Sequence, residues 1–277
     1  MLRRKLPAPL KSVVLACAIA AAVGGCATAT SPTGRTQVVG AVSQQELNQL
    51  GAQAFAELKS QKRQTNDARQ VREVQCIVSA ITRQLPAAWQ GNWESAVFVD
   101  PNPNAFALPG GKVGLYTGIF TVARTQDELA GVISHEIGHV VSRHHDERIT
   151  RQAGAQGAVQ LLGALLGSRY GEGAGSAAMQ GGSMVAQTGF LLPGSRQQES
   201  EADVVGQQLM AQAGFDPRGA VALWSNMIAA SNGSRPPQWL STHPNPEARI
   251  RELQQRAASL GPAYEQARAA GRRPACG

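Results

Sequence analysis

At 277 residues the chain has room for one catalytic domain with short appendages, and its apolar share of 43% is that of an ordinary globular protein. The formal charge of +7 falls to +3 once Arg3, Arg4, Lys5 and Lys11 of the leader are set aside. No run of Lys and Arg then remains to follow a phosphate backbone, which excludes nucleic acid as the partner.

A basic start (Leu2 to Lys11), an apolar stretch (Ser12 to Val23) and the small-residue end Val23-Gly24-Gly25-Cys26 form a secretory signal too short to be a stable transmembrane anchor. VGGC resembles a bacterial lipobox, which implies signal residues 1–25 and acylation of Cys26. Cys17 also follows lipobox-like residues, but its apolar run is too short. Acylation at the cysteine and its amine adds more than one chain, enough for stable membrane anchoring. No Asp follows Cys26, so resemblance to enterobacterial lipoproteins points to the outer membrane. Residues 26–42, rich in Thr, Ser, Gly and Pro, read as the tether.

Ser43 to Arg63 carries Leu47, Leu50, Ala54, Phe55 and Leu58 at helical spacing behind a Ser43/Glu46 capping box. A second helix over about 67–85 uses Val71, Val74, Ile77, Val78 and Ile81. The period then becomes that of strands: Trp93 to Val99, Ala105 to Leu108, a turn at Pro109-Gly110-Gly111-Lys112, and Val113 to Tyr116. Thr125 to about Arg148 is expected as one long helix. Gly154 to Gly194 is Gly, Ala, Gln and Ser rich and reads as a partly mobile segment with no spanning run. Helices resume over 197–213, to Ala230, and from Glu247. The class is α+β, mostly helical, with a small antiparallel sheet beside the central helix. The peptidase domain is placed at 43–262 and a tail at 263–277. In an oxidising compartment Cys76 and Cys276 either pair, tying that tail to an early helix, or remain free thiols.

Within the long helix, His135-Glu136-Ile137-Gly138-His139 puts two imidazoles one turn apart on one face, about 6 Å from each other, where they can share a metal ion. Glu136, turned about 100° from His135, reaches the open coordination position instead and is the expected general base. The apolar context sets these groups against a core, where unpaired His and Glu would be costly. His145 falls where a metzincin places its third ligand, but Ser142 stands where that pattern has a helix-breaking Gly. His144 and His145 are therefore expected to be solvated. In Glu199-Ser200-Glu201-Ala202-Asp203, Glu199 and Asp203 share a helix face and Glu201 does not. Glu199 is expected on the metal in preference to Glu201, with Asp203 bonded behind a ligand. His243, in Ser241-Thr242-His243-Pro244, is a loop residue with three readings: an electrophile, a fourth ligand that closes the site, or a plain surface histidine.

H-E-I-G-H, then E-x-x-x-D some sixty residues on, then T-H-P before an Arg-containing helix, resembles the gluzincin family of HtpX, the CaaX prenyl proteases, BepA and LoiP. The resemblance runs from about Ser43 to the last helix, with 104–120 similar to the strand-and-turn segment before the active-site helix, and it is nearest to the LoiP-type lipoproteins. It implies a zincin-like fold, one Zn2+ held by His135, His139 and Glu199, Glu136 as catalytic acid/base, and His243 near the metal. It also implies Asn104, Ala105, Phe106 and Ala107 as the edge where polypeptide substrate adds as a strand, and clients among unfolded or misassembled envelope proteins in the periplasm. The alternative is a latent or chaperone-like zinc protein that binds such clients without cutting them.

Overall fold

The computed structural model describes residues 27–154, 192–231 and 246–277. Cys26 and its lipobox, His243 with its T-H-P, and all but the ends of the Gly-rich segment lie outside the described residues.

The chain enters through a hairpin, β1 (Ala27–Thr30) and β2 (Thr36–Val39), in antiparallel register. This stretch reads as a tether in the sequence; the structure gives it strands, a turn at Gly34 with φ +87°, and the buried residues Gln37 and Val39. Helix α1 (Gln44–Gln61) starts at the expected capping box: the Ser43 hydroxyl accepts from Glu46 N, and the Glu46 carboxylate accepts from Ser43 N. It buries Leu47, Gly51 and Phe55, while Leu50 faces solvent. Helix α2 (Ala68–Thr82) is capped by Asp67 and buries Val74, Ile77, Val78 and Ile81 as its periodicity predicts.

Strands β3 (Glu94–Phe98), β4 (Ala105–Leu108) and β5 (Lys112–Tyr116) make one sheet in the order β3-β5-β4. It is mixed, not antiparallel as expected: β5 pairs with β4 through the Gly110-Gly111 turn and lies parallel to β3. The reason is topological. After β3 the chain crosses to the far edge before doing its tight turn, so β5 returns between its two predecessors. The Phe106 ring lies over Gly114 and stacks on Phe98, while Ala105 and Ala107 face the main core.

Helix α3 (Gln126–Val141), capped by a Thr125/Glu128 box, is the centre of that core, with every residue from Leu129 to Val141 buried. It does not run on to Arg148 as expected. Ser142 caps it and Arg143 takes a left-handed conformation, φ 55°. A new helix, α4, begins at residue 144 and is described to 154. Then come α5 (Leu192–Ala213), α6 (Arg218–Ser231), α7 (Pro246–Ser259) and α8 (Gly261–Ala269). The last of these occupies part of the segment expected to be a tail.

The contact that matters most for the site is α3 against α5, the most extensive helix pair in the described structure. A Cβ at Gly138 would meet Ala202 O at 2.8 Å, and one at Gly206 would meet His135 N at 3.0 Å. Glycine at both positions lets the two backbones touch. At the far end of α3, Gln126 grips the C-terminal segment through Pro274 O and Cys276 N, and Cys276 is disulfide-bonded to Cys76 of α2. This bridge spans 200 residues of chain and restricts the unfolded state, for a contribution of up to about 5 kcal/mol. Cys276→Ser should therefore lower the thermal midpoint by many degrees relative to the oxidised protein; equal midpoints would contradict this role.

Candidate metal centre

His135 and His139 project from one face of α3 into the crossing with α5, each about 95% shielded from solvent. Glu199 comes from the facing turn of α5. The Nε2 atoms of the two histidines are 3.1 Å apart, and the Glu199 oxygens lie 3.3 Å from His135 Nε2 and 3.4 Å from His139 Nε2. Donors bound tetrahedrally at about 2.0–2.1 Å stand about 3.3 Å from each other. The three residues therefore already form one triangular face of such a polyhedron, and they are the group able to hold a metal among the described residues. Buried Glu136 sits beside His135 on the same helix.

Each imidazole is held from behind. His135 Nδ1–H donates to Asp203 Oδ1 at 2.9 Å, which aims Nε2 toward Glu199 and His139. Arg249 of α7 completes this side: it donates to both Asp203 oxygens at 2.7 Å and to Glu199 Oε2 at 3.0 Å, with its guanidinium 4.0 Å above the Trp224 ring. Burial raises the Asp203 carboxyl, but Arg249 and His135 more than offset it and hold its pKa at about 2. Burial and Arg249 lower the His135 imidazolium, yet Asp203 and Glu199 outweigh them and raise it to about 9. His139 is pushed well below its ordinary value by burial, so its ring is neutral at physiological pH.

Behind His139 stands His144, Nδ1 to Nδ1 at 2.8 Å, and His144 Nε2 lies 3.1 Å from Glu201 Oε2. One proton arrangement satisfies the whole set: His144 Nε2–H donates to Glu201, and His144 Nδ1 accepts from His139 Nδ1–H. His139 Nε2 is then free of its proton on the metal side. His144, expected to be solvated, is fully buried, and His145 is half-buried. The break at Ser142-Arg143 is the cause, because it turns α4 back toward α5. Of the residues singled out in the sequence, His135, His139, Glu199 and Asp203 come together here, and Glu136 is buried next to His135 on the same helix.

Asn104 to Ala107 lie at the outer edge of the sheet, with β4 packed beside α3. Asn104 O accepts from Tyr116 N, and the alternation of an antiparallel ladder turns the main-chain groups of Ala105 and Ala107 to the open side. The Ala105 N–H is taken up by Asn104 Oδ1 at 3.0 Å. Sequence reasoning missed Arg249, His144 and Glu201 as parts of the centre. The nearest signals were an Arg in the helix after T-H-P, a second His five residues after His139, and a carboxylate in acid-poor surroundings.

Two histidines one helical turn apart with a glutamate between them, facing a carboxylate on a second helix, define a zincin-type centre on an α+β scaffold. Residues 68–257 match peptidase family M48, and the chain belongs to that family. It is 40% identical over 164 residues, 59% of this chain and 46% of the relative, to a mitochondrial metalloendopeptidase OMA1 of Schizosaccharomyces pombe. It is 37% identical over 169 residues to a putative beta-barrel assembly-enhancing protease of Vibrio cholerae, and 35% over 162 to the beta-barrel assembly-enhancing protease of Escherichia coli. Those two alignments cover 59% and 57% of this chain and about a third of each relative. The chain thus spans less than half the length of these curated relatives.

Replacing Asp203 with Asn removes the charge that orients and polarises His135. Metal affinity, read by competition with a chromophoric chelator, should fall by about tenfold, and an unchanged affinity would contradict the assignment.

Proposed function

We propose that the protein is a zinc-dependent endopeptidase of the bacterial cell envelope. The observation that carries this reading is the preformed donor triangle of His135, His139 and Glu199 with Glu136 beside it on the same helix. A purely structural zinc site closes with four protein ligands and has no use for an adjacent carboxylate.

Bound at the triangle, zinc supplies Lewis acidity and a water whose pKa is lowered to ~7. Glu136 takes a proton from the attacking water and passes it to the amine that leaves when the peptide bond breaks. Asp203 and Arg249 keep His135 aligned, and Arg249 offsets the negative charge of the Asp203 and Glu199 carboxylates. The substrate main chain adds to β4, where Ala107 presents its N–H and C=O, as a further strand. By its resemblance to the family's T-H-P, His243 is read as a residue that either steadies the carbonyl oxygen or blocks the water position.

Substrates among envelope proteins accord with the two bacterial relatives being named beta-barrel assembly-enhancing proteases. The lipobox at Cys26 supports anchoring of the chain to a membrane by acyl chains, with the outer membrane preferred. Among the described residues no helix is long and apolar enough to cross a membrane.

Glu136→Gln keeps the volume and the metal ligands but cannot accept the proton. Zinc content and thermal midpoint should match wild type while hydrolysis of an unfolded polypeptide drops by at least about a thousandfold. Proteolysis retained in that variant would sink the assignment. Zinc bound with no hydrolysis by wild type would favour a client-binding protein.

A further inference from the structure

The buried network behind His139 does not end at Glu201. Arg35, in the entering hairpin and 100 residues before the motif, reaches into it and is bonded to two carboxylates at once. Its Nη1 and Nη2 donate to Glu147 Oε1 and Oε2, both at 2.8 Å. Its Nε and Nη2 donate to Glu201 Oε2 at 2.9 and 2.7 Å. Both carboxylates are essentially inaccessible, with side-chain exposures of 0% and 3%, whereas Arg35 keeps 20%. Thr33 of the same turn donates to the other Glu201 oxygen at 2.6 Å. Further bonds fasten the hairpin and the two residues after it to the end of α3 and to α4: Gln37 to Ser142 O, Gly40 N to Asp146, and Ala41 N to Thr150.

Two buried carboxylates that share one cation are fixed in place by it and repel each other without it. Glu201 is also the only acceptor recorded for His144 Nε2–H among the described residues, and His144 is what His139 Nδ1 leans on. We propose that the hairpin at residues 27–39 is part of the metal centre, with Arg35 a positioning residue that holds the ligand His139 in orientation through Glu201 and His144. The reading rests on the metal role of His139 argued above. It makes the segment immediately after Cys26 a structural partner of the site, not a passive spacer.

The test uses the full mature chain. Zinc affinity is measured by chelator competition, the visible absorption of the cobalt-substituted protein reports ligand geometry, and thermal unfolding of the zinc-loaded protein reports stability. Arg35→Ala and His144→Ala should each weaken zinc binding by about 10- to 100-fold and shift the cobalt bands. The double variant should be no weaker than the worse single, since both cut one chain. Arg151→Ala removes another ion pair to Glu147, at 2.6 Å, without touching Glu201, and should match wild type in affinity and spectrum. If Arg35→Ala does not fold, Thr33→Val, which loses only the hydrogen bond to Glu201, should show a several-fold loss in the same direction.

A less stable Arg35→Ala, or a Thr33→Val, that binds zinc as tightly as wild type with an unchanged cobalt spectrum would overturn the proposal. So would additive losses in the double variant. Wild type that fails to take up zinc would instead overturn the metal reading itself, and this one with it.

Discussion

A glutamate can join two histidines of another helix around one ion only if the two helices cross in the register that brings its carboxylate up to both rings. Helix pairs ordinarily sit 8–10 Å apart, with side chains filling the gap. Here Gly138 on α3 and Gly206 on α5 remove those side chains at the crossing. The site follows from that approach: Glu199 and Asp203, one turn apart on α5, meet His135 from the front and from behind. Everything else in the fold holds this crossing in register, from the sheet on one flank to α6 and α7 on the other and the cystine-tied C-terminus at the start of α3.

The crossing carries an electrostatic cost, since Glu136, Glu199, Glu201, Asp203 and Glu147 are all buried around it. Such charges persist in a low-dielectric interior only when each is hydrogen-bonded or countered. Arg249 counters Glu199 and Asp203, and Arg35 counters Glu201 and Glu147. The two arginines enter from opposite ends of the chain and close the two sides of the same centre. Each stands behind a different imidazole, so the ligand pair is oriented by two separate hydrogen-bond chains.

The local part of this was legible in the sequence. The capping boxes at Ser43 and Thr125, the apolar faces of α2 and α3, the turn at Gly110-Gly111 and the H-E-x-x-H face all follow from short-range spacing, and the structure has them there. The choice of Glu199 over Glu201 followed from helical geometry, and the structure puts Glu199 beside the imidazoles and Glu201 with His144. What was not legible depends on contacts far apart in sequence. The tether reading of residues 27–42 rested on a polar, turn-forming composition, and that composition does not reveal that Arg35 has two buried carboxylates to reach. His144 looked solvated because a straight helix would have carried it away. The left-handed Arg143 that redirects the chain is not a residue type that announces such a turn. The mixed sheet depends on the order in which strands are laid down, which alternation patterns do not encode.

The central claim is that the side chains of His135, His139 and Glu199 are zinc ligands, and X-ray absorption at the zinc edge of the purified protein tests it most directly. The account predicts stoichiometric zinc with a first shell of nitrogen and oxygen only at about 2.0–2.1 Å, the outer-ring scattering of two imidazoles, and loss of one light ligand in Glu199→Ala. Scattering from sulfur at about 2.3 Å, or an unchanged first shell in Glu199→Ala, would contradict it.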